Sequence, residues 1–524
     1  MKNIDCKLHS ADADAMNQLA GKEQNLATGM GDTRSVQAKT HLSEAKRTLM
    51  QAYVSGKISH KLRAPGAITA RPACKPALVS LFQEQLLLRE NGRRHMPSIY
   101  NECFTIRMTG GCIDVTALER ALTEIIRRHE IWRTTYDISH GSFVQVVHPP
   151  APKIRLPFVD LRSFLGERLE EKVLRVTAEE AQRPFDLNRG PLLRFTLIRT
   201  GTTDYRLSVV AHLSIVDGIS VYRLLPSELA VLYAAFFKSK CSPLLELPIQ
   251  YADYALWQRN WLTEDEIERQ LAYWRKRLAG EPPALHWPTD NPETAVNTYR
   301  GEIEAFRLSP LLTEVIKQLS RSEGVTLFVV FLASFASLLY CYTSQTDVII
   351  GTPSQAGRKR SEVASLLGYF LNPVALRINL QDDPSIRELL LQVKNATAEA
   401  MAYDDVPLEV IAKELHINGT SSRAIFKVAI SMQPQAAEVE GWRVTSMDAS
   451  SGGAVWDLYL AFINGMDEIV GRAQYNPDVF EGHTIRHVLQ DLQTMMQSMA
   501  ADPGQRVSSL RQCVGLRSDR YYCN

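Results

Sequence analysis

The segment His212-Leu213-Ser214-Ile215-Val216-Asp217-Gly218 crowds several chemically able side chains into seven positions. An imidazole exchanges protons near neutral pH. A serine hydroxyl attacks carbonyl carbons once a base activates it, but no histidine-and-acid set can be assigned to Ser214, which leaves it a lining or packing role. Gly218 has no side chain, so a substrate oxygen can approach its backbone closely, although glycine also simply permits a turn. The preceding run, Tyr205 to Val210, reads as a buried strand, and strand neighbours point to opposite faces. His212 and Leu213 therefore serve different surfaces. His483 and His487 lie four apart on a helical pattern, a spacing that suits a metal. No cysteine or acidic cluster near them completes a ligand set, so a surface or packing role is their reading, and no metal is expected.

The elements that position these residues form an α/β mixture. Helices are predicted over 115–129, 220–237, 264–278, 310–323, 326–340 and 482–499, and strands over 143–147, 193–199, 205–210 and 346–351. Residues 243–260, with their prolines and aromatics, read as a crossover between two halves. At 524 residues the chain exceeds one ordinary core. Residues 1–75 read as a flexible extension with a helix over 42–58, which either docks onto an upstream subunit or packs on its own domain. A first lobe over 76–245, a second over 246–515 and a tail over 516–524 complete the expected layout. The formal net charge of +1 gives no sign of nucleic-acid binding. No apolar run is long enough to span a bilayer, and the N-terminus lacks a signal-peptide core. Eight cysteines without a CxxC pair indicate neither zinc nor a disulfide framework, so a cytoplasmic setting is expected.

The opening segment resembles the HHxxxDG signature of nonribosomal peptide synthetase condensation domains, with Leu213 where that family carries its second, catalytic histidine. Further resemblances follow in family order. Arg128-His129-Glu130-Ile131-Trp132-Arg133-Thr134 is similar to RHExLRT, and Tyr251 to Gln258 to YxDYAxWQ. Tyr273-Trp274 matches a YW element and Pro288-Thr289-Asp290 a PTD loop. Asp347 to Arg358 resembles DxxxGxPxxxR, Gly368 to Asn372 resembles GxFxN, and Asp404 to Glu409 resembles QDxPFE. Trp456-Asp457-Leu458 is similar to the FDL element. Besides Leu213, two departures stand out: Phe82 and Gln85 replace Ala and Arg of SxAQxRLW, and Trp132 replaces a leucine. Both imply local repacking.

The resemblance covers residues 76–515. It implies two chloramphenicol-acetyltransferase-like lobes in a V with a central tunnel. Donor and acceptor carrier proteins would deliver substrates on phosphopantetheine, and no cofactor would bind the domain itself. Asp217 would pair with Arg358 and hold the loop. His212 would be a hydrogen-bonded core histidine, and Ser214, Tyr369, Asn372 and Trp456 candidate tunnel-lining residues. His212, Leu213 and Gly218 occupy the catalytic positions, yet Leu213 moves no proton. General acid–base catalysis contributes about 10²–10⁴-fold, whereas positioning reaches effective molarities of roughly 10⁵–10⁸ M. An α-amino group titrates near about 7.7–8.0, so part of it is already nucleophilic at neutral pH. Amide formation thus survives loss of the imidazole better than ester formation. The alternatives are an inactive platform that docks carriers or recruits a tailoring enzyme, and a silent spacer. The chain is expected to be either free-standing or a piece of a larger synthetase.

Overall fold

The computed structural model describes residues 66–72, 77–91, 98–139, 141–280, 284–291, 298–416, 425–445, 449–465 and 468–514. The helix expected over 42–58, the stretch before it and the tail over 516–524 lie outside the described residues.

In chain order the described elements are α1 (Leu81–Asn91), β1 (Asn101–Met108), α2 (Val115–Arg128), β2 (Thr134–Ser139), β3 (Ser142–Val147), β4 (Phe158–Asp160), α3 (Gly166–Gln182), β5 (Leu193–Arg199), β6 (Tyr205–His212), α4 (Leu225–Phe237), α5 (Tyr251–Trp261) and α6 (Glu264–Arg277). There follow β7 (Glu302–Arg307), α7 (Pro310–Ser322), α8 (Leu327–Thr343), β8 (Asp347–Ser354), β9 (Asn372–Asn379), α9 (Ile386–Ala402), α10 (Leu408–Glu414), β10 (Val428–Gln433), β11 (Trp442–Thr445), β12 (Leu458–Asn464), β13 (Ile469–Tyr475) and α11 (Gly482–Ala501).

Two large sheets organise them, and β2 and β3 form a separate two-stranded sheet. One runs β11-β1-β6-β5-β4 and the other β7-β13-β12-β10-β8-β9. In the first, β6 pairs antiparallel with both β1 and β5, so its backbone is satisfied on both edges and its side chains are nearly all buried. That burial explains its apolar composition. The helix α2 starts where the Asp114 carboxylate accepts the Ala117 N–H at 3.0 Å. It turns Leu118, Ala121, Leu122 and Ile125 onto the first core. In the second half α8 is apolar on all sides and buried on nearly all of them, which makes it the spine of the second core. No single described helix is long and apolar enough to cross a membrane; α7 and α8 pass that test only together, and they are bent by 105°.

Two segments differ from the sequence reading. The stretch read as a crossover becomes helical from Tyr251, because Gln250 and Asp253 form a reciprocal capping box, with the Gln250 N–H donating to Asp253 Oδ2 at 2.7 Å. The helix predicted over 220–237 opens instead with a wide π-type turn, Ser220–Leu224, before α4. Pro226 supplies the reason. It has no N–H to give the Tyr222 carbonyl four residues back. The Leu225 N–H reaches to the Ser220 carbonyl, and the Tyr222 carbonyl accepts the Ala437 N–H at 2.7 Å.

That last bond ties the two halves together. Past β10 the chain crosses to the first sheet, where β11 pairs antiparallel with β1. Val363, Leu366, Leu367 and Phe370 also join the first core. The cores interleave rather than part at one point in the chain.

Candidate active site

The end of β6 delivers the motif. His212, fully buried, is held on three sides. The Ser214 N–H donates to its Nδ1 at 3.3 Å, and the Ser214 hydroxyl lies 2.7 Å from the same nitrogen. A backbone N–H can only donate, so Nδ1 is an acceptor and Nε2 carries the proton toward Glu90 Oε2 at 3.2 Å. Tyr100 and Phe185 present ring geometries edge-on to the imidazole at 6.3 and 6.2 Å. The Ser214 carbonyl in turn accepts from Gln83 Nε2 at 2.9 Å and from the Tyr136 hydroxyl at 3.1 Å. The imidazole nitrogens of His212 and the hydroxyl, N–H and carbonyl of Ser214 are all committed locally.

Asp217 and Arg358 meet in a two-pronged ion pair, Nε to Oδ2 at 2.6 Å and Nη2 to Oδ1 at 2.8 Å. The carboxylate also takes the Ser220 N–H and hydroxyl, both at 2.8 Å. Arg358 donates further to the Leu366 and Val363 carbonyls at 3.0 and 3.2 Å and lies 4.2 Å over the Phe370 ring. This geometry clamps the loop to the segment that the second half lends to the first core.

Between the two sheets lies a cavity of about 150 Å³. Leu213 and Gly218 form part of its wall from the motif, and Ser431, Gln433, Tyr459 and Arg472 part of it from the second sheet. Gly218 is crowded there: a Cβ would lie 2.8 Å from Gln433 Oε1 and 3.1 Å from Pro434 Cδ, so a side chain would have to displace them. Leu213 packs against a small apolar cluster of Phe82, Leu86, Tyr100, Ala356 and Tyr369. Two of the sequence departures, Phe82 and Leu213, thus share one patch, a coupling invisible along the chain. Trp132 sits elsewhere, buried in the first core beside Phe195 with ring centroids 6.2 Å apart. Neither Phe82 nor Trp132 is in the cavity wall.

Tyr369 and Trp456 are in the wall. Burial holds the Tyr369 phenol well above its usual range, and the Trp456 indole N–H has no acceptor among the described residues. Ser214 and Asn372 are not in it, and the expectation for them is corrected. Ser214 is spent on His212. The Asn372 amide donates to the Asp404 and Val406 carbonyls at 2.7 and 2.8 Å, fixing the start of β9. His483 is exposed and pairs with Glu481 at 3.1 Å. Among the described residues no three His, Cys, Asp or Glu gather as a metal-binding set.

Among the wall residues that escaped the sequence reading, two stand out. Glu102 on β1 and Arg472 on β13 face the same cavity from different sheets. Burial raises the Glu102 carboxyl above its ordinary range, and Arg472 works against that rise. Their signal was slight: each is a charge in a strand of mixed polarity, which reads as ordinary solvent-facing alternation.

Comparison with known proteins places this geometry. Residues 76–513 match the condensation-domain family. The chain belongs to that family. It is 38% identical over 425 residues to a linear gramicidin synthase of Brevibacillus parabrevis, covering 80% of this chain and 8% of that protein. The chain spans at most about a tenth of the first curated relatives it matches. Among solved structures, the X-domain in its complex with OxyB from teicoplanin biosynthesis is 27% identical, with a TM-score of 0.70 over 85% of this chain and 98% of that one. The first condensation domain of the calcium-dependent antibiotic synthetase, bound to a substrate analogue, has a TM-score of 0.72 over 82% of this chain and 98% of that one. At 20% identity this second likeness speaks for the fold alone. The α/β architecture is therefore that of condensation domains, with the chloramphenicol-acetyltransferase-like fold.

Proposed function

We propose that this condensation domain joins a carrier-bound acyl or peptidyl thioester to a carrier-bound amine. The amine nitrogen attacks the thioester carbonyl, a C–N bond forms and the C–S bond breaks. The donor's pantetheine thiol leaves, and the nitrogen passes its surplus proton to solvent or to the departing thiolate. Both substrates arrive on phosphopantetheine arms of carrier proteins, and the domain brings no cofactor of its own.

The observation that carries the reading is a cavity walled by both sheets with Leu213 and Gly218 in its surface. Asp217 and Arg358 set the loop. Leu213 supplies shape and dryness but no base, and His212 is tied up behind the wall. The acceptor must therefore arrive as the free amine. Positioning, worth up to roughly 10⁵–10⁸ M, outweighs the missing 10²–10⁴-fold from a base. Slow amide formation and no ester formation are the consequence. The test mixes donor- and acceptor-loaded carriers with the domain and follows product by mass spectrometry. Amide product without ester is expected, and no amide above a protein-free control overturns the proposal.

A second reading is recruitment of a tailoring enzyme. It is favoured by the aliphatic side chain at Leu213 and by the likeness to an X-domain found in complex with OxyB. It predicts that loaded carriers bind and are never joined, so the same experiment separates the two.

A further inference from the structure

Arg472 is more than nine-tenths buried, with 8% of its surface accessible, yet among the described residues its guanidinium has no hydrogen-bond partner and no ion pair. Buried charges are normally paired, because taking them out of water is costly. Its strand neighbours explain why no partner is at hand. Directly across from it stand Ala461 on β12 and Ala305 on β7, neither of which reaches it with a polar group. The nearby polar side chains are already engaged. The Tyr459 hydroxyl lies 2.6 Å from that of Ser431, and the Gln474 amide donates to the Gly453 carbonyl at 2.7 Å. Glu102 feels the guanidinium electrostatically but forms no ion pair with it. A fork of donors thus faces the cavity that contains Leu213 and Gly218 without a protein partner.

We infer that Arg472 binds a carboxylate carried by the substrate near its reacting end, so that the domain favours an acidic donor or acceptor. This rests on the thioester-handling reading above. A planar guanidinium grips a carboxylate through two parallel hydrogen bonds. A phosphate has the same chemistry, but on a pantetheine arm it sits at the carrier end, away from the thioester, whereas Arg472 shares its cavity with the motif. Glu102, when ionised, has the opposite effect: its negative charge then rejects the anion and so limits affinity.

The test measures binding to the full chain by calorimetry. One probe is a pantetheine in which an amide replaces the thioester and a 4-carboxybutanoyl group is attached; the other carries the neutral 4-carbamoylbutanoyl group. The wild type should prefer the acid by roughly 10–100-fold, the range of a charge-assisted contact. Arg472→Gln should equalise the two, Arg472→Lys should keep part of the preference, and Glu102→Gln should widen it. Arg472→Met should raise the unfolding midpoint of the ligand-free protein, which a structural arginine would not do. Equal affinities in the wild type, or a preference that survives Arg472→Gln, overturn the inference. Binding of neither probe overturns the thioester reading, and glutarate alone then decides. Glutarate binding to the wild type but not to Arg472→Gln keeps the carboxylate site, and no binding removes it. Inorganic phosphate competing as well as glutarate would reassign Arg472 to the phosphate of the arm.

Discussion

Two of the acid–arginine constellations that border one cavity are built in opposite ways. Asp217 and Arg358 saturate each other at 2.6 and 2.8 Å and spend what remains on Ser220 and on backbone carbonyls. Glu102 and Arg472, on separate sheets, sense each other without a bond. The first arrangement is complete as it stands, and removing either member leaves a stranded charge. The second is incomplete, and an arginine kept that way sacrifices stability. The difference separates side chains that hold the loop from an arginine that awaits a ligand, although both arginine side chains are largely enclosed.

The contrast breaks most visibly at the clamp. Asp217→Ala leaves Arg358 buried and unpaired and should cost about 3–5 kcal/mol, the range for a broken buried pair, read from chemical denaturation. A loss below about 1 kcal/mol, as for an exposed pair, would mean that the clamp is not structural. At the wall, Leu213→His should raise amide formation by up to about 10²-fold, the lower range of general base catalysis. An unchanged rate in the loaded-carrier assay would show that proton removal is not limiting. The smallest effect concerns Glu102 and depends on pH. Burial keeps its carboxyl protonated to higher pH in the folded chain than in the unfolded one. The folded state therefore binds more protons over that window, and stability falls as pH rises from the ordinary glutamate range through the raised value. Glu102→Gln does not titrate. Its melting midpoint should match the wild type near roughly pH 4 and exceed it near roughly pH 8. A constant difference across that range would mean that the carboxyl is not displaced by burial.

Much of the architecture was legible because it is local. The 3.6-residue stripe of α2 and the apolar run of β6 state their partners' side in their own composition. The signature around His212 announced the family. What stayed hidden depends on distant pairing. Four residues, Trp442 to Thr445, carry too little pattern to announce a strand, and their partner β1 lies far away in the chain. Glu102 and Arg472 read as surface charges until the two sheets are brought face to face. Ser214 and Asn372 read as lining residues because their polarity was visible and their partners, His212, Asp404 and Val406, were not.

The proline in α4 has a consequence well beyond its own turn. Having no N–H of its own to give the Tyr222 carbonyl, it makes room there for a mooring to residue 437, a few positions before β11 covers the edge of β1. An uncovered edge strand would invite stray chains to add on. Any widening of the crevice must either swing about this short splice or unzip it, so the splice limits how far the walls can separate while a tethered guest is admitted.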